Sequence, residues 1–335
     1  MSSSRSGLLA GGNFIVDHVK IIDAYPDQDM LASILGQTQA NGGGPYNVLK
    51  DLAAMGATFP LAAAGMVGED DNGRWIREDC RVHGINTDQL HATKERATSY
   101  TDAMTVAGTG RRTFFHQRGA NALFNVAHVD FRNSSARIFH LGYLMLLDTL
   151  DSFAPDGRTH ASHLLEKAVA AGLETSVDMV STEHPQFREI ALSALPYTHH
   201  LMLNEVEAAR VLHRSIPADQ PEALLSAASD LLGLGVRQSV TVHTEHGCAS
   251  VTVAGEKLHQ PSLLIPAGYS KGATGAGDAF AAGLLYGLHE QLSLAERLQL
   301  AVCTAAASLA DPTPSAGLRP VSECLALAAE FGFRK

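Results

Sequence analysis

The chain has 335 residues, 45% of them hydrophobic and 18% charged, and 35 acidic against 25 basic side chains give a formal charge of −10. That balance excludes a disordered chain and suits one large α/β domain with ample core. The acidic surplus offers no footprint for a nucleic-acid backbone, and no apolar run approaches the ~20 residues of a membrane span; the nearest, Ile138 to Leu147, is short and interrupted by His140.

In chain order, Leu8 to Val16 reads as a strand ending near Asp17. Val48, Leu49, Leu52 and Met55 recur at helical spacing, which predicts a helix from Tyr46 to Met55 closed by Gly56. Leu61 to Val67 is a short buried strand. Arg96 to Val106 and Arg111 to His116 are rich in Thr, Tyr, Phe and Val, and they flank Gly108-Thr109-Gly110, which predicts a β-hairpin. From Arg137 onward strands and helices alternate. Strands are expected at 137–144, 174–179, 200–203, 238–243 and 249–253, and helices at 161–171, 205–213, 222–234, 278–288 and 294–311. Such alternation argues for a mostly parallel sheet covered by helices. With no repeat, low-complexity segment or clear linker, one domain over 1–335 with a small β appendage is expected.

Cysteines at 80, 248, 303 and 324 form no C-x-x-C pair and read as buried free thiols in a reducing cytoplasm. Sixteen histidines include no H-E-x-x-H and no Cys/His ligand set, so no histidine metal site is expected. Met1 to Ser6 lacks a long apolar stretch, so no signal peptide is read and a cytoplasmic location is expected.

The strongest local feature is Gly272-Ala273-Thr274-Gly275-Ala276-Gly277-Asp278, followed by an apolar helical run. A glycine-rich loop opening onto a helix N-terminus can aim several backbone N–H groups at an anion, with the helix dipole behind them. Asp278, at the junction, can accept a hydroxyl proton beside a phosphoryl group. Alone, an Asp at this place would more often only cap the helix. The loop is neither a Walker A nor a G-x-G-x-x-G motif.

Here the chain resembles the ribokinase-like sugar kinases, the PfkB family. Ala273 to Phe280 is similar to that family's C-terminal signature, and Asn41-Gly42-Gly43-Gly44-Pro45-Tyr46-Asn47 to its N-terminal G-G-x-x-N signature. Gly65 to Gly73 resembles its G-x-V-G-x-D-x-x-G segment, and Asn204-Glu205-Val206-Glu207 its N-x-x-E motif. The resemblance implies a three-layer α/β/α fold with a β-sheet lid, built here from segments near 14–40 and 96–118, and a homodimer through that lid. It implies ATP as donor and Mg²⁺ as partner metal. Asp278 would be the catalytic base and Gly275, Ala276 and Gly277 the anion hole. Asp17 would grip sugar hydroxyls, with Gly42, Gly43 and Asn47 lining the substrate pocket. Asn204, Thr244, Gly247 and Thr274 would contact the nucleotide, and Glu207 would organise the metal through water. Taken by themselves, Asn204 and Glu207 also have the spacing of a helix capping box.

The departures carry expectations of their own. Gly272 stands where the family often has an Asp that helps hold a monovalent cation, so weak or absent K⁺ dependence is expected, with Lys271 as a possible substitute charge. Gly44 and Pro45 replace a Lys and a Gly. Val242 to Gly247 keeps only the last Gly of the family's T-x-G-x-x-G segment, which points to an altered nucleotide pocket. The reading is an ATP-dependent carbohydrate kinase acting on a primary hydroxyl. A nucleoside kinase on the same fold and a non-catalytic sugar- or nucleotide-sensing protein are the alternatives. Arg118 and Asn121 follow the hairpin and lie within reach of a substrate, although an exposed loop Arg is the plainer reading.

Overall fold

A strand covered on both faces must be apolar along its whole length. Leu8–Gly12 (β1) meets that condition, and every residue of it is buried. It lies in a nine-stranded sheet with Leu61–Gly68 (β4), Ile85–Thr93 (β5), Ile138–Leu144 (β8), Glu174–Met179 (β9), His200–Asn204 (β10), Ser239–Thr244 (β11), Gly247–Thr252 (β12) and Lys257–Pro261 (β13). The spatial order is β13-β12-β11-β10-β9-β8-β1-β4-β5. All pairings are parallel except those of β12 with β11 and β13. This computed structural model describes residues 5–334.

Helices cover both faces. Alternate strand residues such as Leu9, Phe139, Leu141, Val177 and Val240 pack against His160–Ala170 (α4), Phe187–Ala194 (α5), Glu205–Leu212 (α6) and Pro221–Gly233 (α7). Leu8, Ala10, Ala63 and Ile138 face the other way. There they pack against Gly44–Ala54 (α1), Asp71–Val82 (α2), Ala276–His289 (α8), Leu294–Ser308 (α9) and Val321–Phe331 (α10). One short helix, Asp148–Asp151 (α3), follows β8. The result is the three-layer α/β/α arrangement.

A second sheet stands apart, in the order β3-β2-β6-β7, from Ile34–Gly42 (β3), Ile15–Ile22 (β2), Tyr100–Val106 (β6) and Arg112–Gln117 (β7). The β2–β6 pair is parallel and the others antiparallel, so β6 and β7 form the expected hairpin. The expected single strand Leu8 to Val16 is in fact two. Asn13 N–H makes the last ladder bond, to the Gly142 carbonyl of β8 at 3.0 Å, and the Asn121 side chain then receives Phe14 N–H at 3.2 Å. With their backbone groups satisfied in this way, Asn13 and Phe14 turn the chain out of the large sheet. Asp17 is thereby delivered to the small one.

The helix expected to reach residue 311 ends at Ser308, where its last turns tighten into i→i+3 bonds. All four cysteines are free and buried, as expected. No helix among the described residues is long and apolar enough to cross a membrane.

Candidate active site

Parallel strands running one way bring their C-terminal ends to one edge of the sheet, where open α/β folds hold ligands. That edge gathers Asn13 after β1, Tyr143 in β8, Asp178 in β9 and Asn204 closing β10. Asp278 arrives from the opposite side, as the third residue of α8. Gly275 is the N-cap of that helix, in the left-handed region at φ 79°, and a Cβ there would strike Pro314. No side chain caps α8, so Asp278 does not serve as its cap.

The Asp278 carboxylate is instead fixed for another purpose. Its Oδ2 accepts from Asn47 Nδ2 at 2.7 Å and its Oδ1 from the Tyr143 hydroxyl at 2.6 Å. Burial pushes its pKa up to about 6, and those two hydrogen bonds hold it from rising further. Both donors are themselves anchored. Asn41 donates to Asn47 Oδ1 at 2.7 Å and to Ser315 Oγ at 2.9 Å, and Tyr143 N–H donates to Asn13 Oδ1 at 2.6 Å. A base held in this way is a pre-oriented one.

Asp17 faces the same space from the small sheet. Burial raises its pKa to about 7, a Thr101 side-chain hydrogen bond opposes this, and the charge of Asp278 adds to it. Gly42 is packed so tightly on Asp17 that any Cβ there would fall on the carboxylate. Gly43 starts α1 as its N-cap and accepts Asn47 N–H at 3.0 Å. Asp17, Gly42, Gly43 and Asn47 are thus brought together around Asp278.

On the far side of Gly277 a cleft of about 560 Å³ opens between the ends of β10 and β11 and helices α8 and α9. Asn204, Thr244, Gly247, Ala276 and Gly277 line it, with apolar Leu263, Ile265, Val302 and Ala305. Thr244 spends its hydroxyl on the Ala218 carbonyl at 3.0 Å. Thr274 is not part of this wall; its hydroxyl accepts from Arg112 of β7. Lys271 is not the substitute charge of the loop either, since its Nζ turns away to the Gly268 carbonyl at 2.9 Å.

Asn204 and Glu207 do form a capping box on α6. Glu207 does more than cap, because it also accepts from Ser181 Oγ at 2.8 Å and lies buried beside a second carboxylate, Asp178. Burial raises Glu207 to about 7. Asp178 is pushed well above its ordinary value by burial and by the charges of Glu207 and Asp278. Two buried acids without a cation between them fit a divalent metal that keeps most of its waters. No cluster of three or more His, Cys, Asp or Glu suited to a fully protein-bound metal occurs among the described residues.

Tyr143, Asp178, Ser315 and Thr101 also serve the site, and no motif in the sequence marks them. Each stands at a strand end or loop whose neighbours are distant in the chain. A polar side chain near the C-terminal end of a buried strand, as with Asp178 and Tyr143, is the signal that points to them. Arg118 and Asn121 do not face the site. Arg118 pairs with Asp148 at 2.5 Å, and Asn121 is wholly buried, bridging the Phe14 backbone.

The family model for pfkB family carbohydrate kinases matches residues 12–319. The chain belongs to the pfkB family of carbohydrate kinases. It is 27% identical over 278 residues to the ATP-dependent ribose-1-phosphate kinase of Halopiger xanaduensis, covering 83% of each chain. It is 27% identical over 308 residues to the ribokinase of Arabidopsis thaliana, covering 90% of this chain and 75% of that one. Among solved structures, Arabidopsis thaliana ribokinase complexed with ribose and ATP superposes with a TM-score of 0.79. That match has 22% identity and covers 96% of this chain and 98% of the other, and it bears out the expected ribokinase-like fold. The small β3-β2-β6-β7 sheet is the lid of this family fold.

Proposed function

We propose that the chain transfers the γ-phosphoryl group of ATP to a primary hydroxyl of a sugar or sugar-like alcohol held between Asp17 and Asp278. The observation that carries this reading is Asp278 itself. It stands on the first turn of an uncapped helix, and both of its oxygens are fixed at the meeting point of lid, sheet edge and cleft. The ATP-dependent sugar kinases among the relatives support the same chemistry.

In the proposed step the acceptor hydroxyl gives its proton to Asp278 as its oxygen bonds to phosphorus. The bond from that phosphorus to the bridging oxygen breaks, and ADP leaves. Backbone N–H groups of Gly275, Ala276 and Gly277, with the positive end of the α8 dipole, meet the charge on the phosphoryl oxygens. Asn47 and Tyr143 keep the base aligned. Asp17 accepts hydrogen bonds from the sugar, and the lid keeps water out. The apolar wall of the 560 Å³ cleft takes the nucleotide base. Mg²⁺, when bound with the triphosphate, offsets its negative charge; Glu207 and Asp178 are the side chains that would hold its water shell.

The lid edges point to a second copy of the chain. Ile34 and Leu35 on β3 and Phe114 and Phe115 on β7 are each more than half exposed, an unusual density of bare apolar side chains. We read this as a homodimer through the lid, checked by sedimentation of the wild type against a Leu35→Ser, Phe114→Ser variant. Four unpaired buried thiols support a reducing, cytoplasmic setting.

The direct test is ADP release with Mg-ATP and a panel of sugars, sugar acids and nucleosides. Acceptor-dependent release by the wild type, lost in Asp278→Asn, is expected. ADP release that ignores every acceptor, or survives in Asp278→Asn, would overturn the reading.

A further inference from the structure

Arg112 opens strand β7 at the lid's edge, yet its side chain leaves the lid. The guanidinium crosses to the loop before α8, where one nitrogen donates to the Thr274 hydroxyl. The other terminal nitrogen lies against the α-carbon of Gly272, so closely that any Cβ at that position would collide with it. The residues that meet here are 162 positions apart in the chain. The contact therefore depends on the lid resting over the loop.

This guanidinium is partly buried and has no carboxylate within ion-pair distance among the described residues. Burial alone lowers its pKa, with no acidic neighbour to raise it. Other part-buried arginines of the chain are matched differently: Arg137 with Glu174, Arg158 with Asp156 and Glu166, Arg210 with Glu183. A cation drawn out of water with only a neutral hydroxyl as partner has an unmet demand for an anion. The anion that belongs beside residues 272–277 is the phosphate chain of the donor. Gly272 and Arg112 are also sterically coupled. The guanidinium in its present place fills the space that a Cβ at 272 would take.

We propose that Arg112 is a phosphate-binding residue carried by the lid, which turns from Thr274 onto the transferring phosphoryl group when ATP is bound and supplies the fixed positive charge of this loop. The inference rests on the phosphoryl-transfer reading above. It adds to that reading a specific donor contact and a coupling of lid closure to catalysis. A planar guanidinium suits phosphoryl oxygens better than a lysine ammonium does.

The test compares wild type, Arg112→Lys and Arg112→Ala, each first checked for an unchanged melting temperature. With an acceptor from the panel, Arg112→Ala is expected to lose about 10²–10³-fold in kcat, the range for removing one donor to developing charge. Acceptor KM should stay within about threefold. Added guanidinium chloride should recover part of the lost rate in Arg112→Ala at constant ionic strength, and Arg112→Lys should fall between. Wild-type rates should be equal in potassium and choline salts. Calorimetry supplies a readout that needs no acceptor: Arg112→Ala should weaken a non-hydrolysable ATP analogue by more than it weakens ADP. Analogue binding and turnover in Arg112→Ala equal to wild type would overturn this inference and leave the kinase reading standing. So would a loss confined to acceptor KM, which would make Arg112 a contact to the acceptor. A wild type that binds neither nucleotide would end both.

Discussion

The Tyr143 hydroxyl donates to Oδ1 of Asp278 at 2.6 Å, joining the end of strand β8 to the first turn of helix α8 across 135 positions of sequence. A hydrogen bond to a charged carboxylate is worth about 1.5–3 kcal/mol, and about 1.4 kcal/mol corresponds to one pKa unit. Tyr143 therefore keeps Asp278 ionised at neutral pH in spite of its burial. Tyr143→Phe is expected to move the acid limb of the kcat/KM–pH profile upward by about one unit or more, from a wild-type limb near the Asp278 value of about 6. The plateau rate should change far less. An acid limb that stays in place would show that Tyr143 does not tune the base.

Asp278→Asn keeps the shape of the side chain and its acceptor oxygen but removes the base. A loss in kcat of at least ~10²-fold is expected, the low end of general-base contributions. The melting temperature should not fall, because no cap is lost and a buried carboxylate is replaced by a neutral group. Turnover within a few-fold of wild type on a confirmed substrate would remove Asp278 from the base role. A collapse in stability would return it to a structural one.

The buried acids also set how stability responds to pH. Asp17 and Glu207 titrate at about 7 and Asp278 at about 6, against ordinary values of 3.8 for Asp and 4.5 for Glu. Above about pH 8 both states are ionised, but from about pH 4.5 to 7 the native state keeps protons that the unfolded chain has already lost. The unfolded state binds fewer protons there, so stability falls as pH rises. Two buried histidines offset part of this slope below about pH 6.5. His140 and His243 are held at about 3 and about 4 by burial, so the unfolded chain takes up protons that the fold refuses. The apoprotein should melt higher at pH 5.5 than at pH 7.5, with a shallower decline in Asp278→Asn. Scanning fluorimetry over pH 5–9 checks this, and a melting point that climbs from pH 5.5 to 7.5 would contradict it.

What was legible in the sequence was what is local. The 272–278 loop carries its chemistry in consecutive residues, because glycines and a helix start are read from adjacent positions. The apolar strands β1, β4 and β8 show up as runs because both faces are covered. Strand β3 was missed for the opposite reason. Its residues 34–39 are all exposed, with no alternation of apolar and polar side chains, so no burial pattern marks them. Edge strand β5, with Asn86, Asp88 and Gln89, hides in the same way. The partners of Asp278 and the reach of Arg112 depend on contacts between segments more than a hundred residues apart. No spacing along the chain encodes those.

Glu207 tests whether one residue serves two purposes. Its Oε2 accepts the Asn204 N–H at 2.9 Å, which closes the capping box on α6, while its Oε1 accepts from Ser181 and from the Asn204 side chain at 2.8 and 2.9 Å. Glutamine serves in the same box, so Glu207→Gln keeps the cap with the loss of one charge. If capping were the whole role, activity at every Mg²⁺ concentration would match wild type. The neighbouring Asp178 argues for more, since two buried carboxylates repel each other unless a cation lies near. Removing one of them relieves that repulsion in the apoprotein and weakens the pull on a hydrated divalent ion. The expected result is an unchanged or higher melting temperature without metal, together with a severalfold rise in the Mg²⁺ concentration giving half-maximal rate. The two measurements separate the roles. A lower melting temperature with an unshifted Mg²⁺ titration would reduce Glu207 to a cap, whereas the paired shift would place it at the metal.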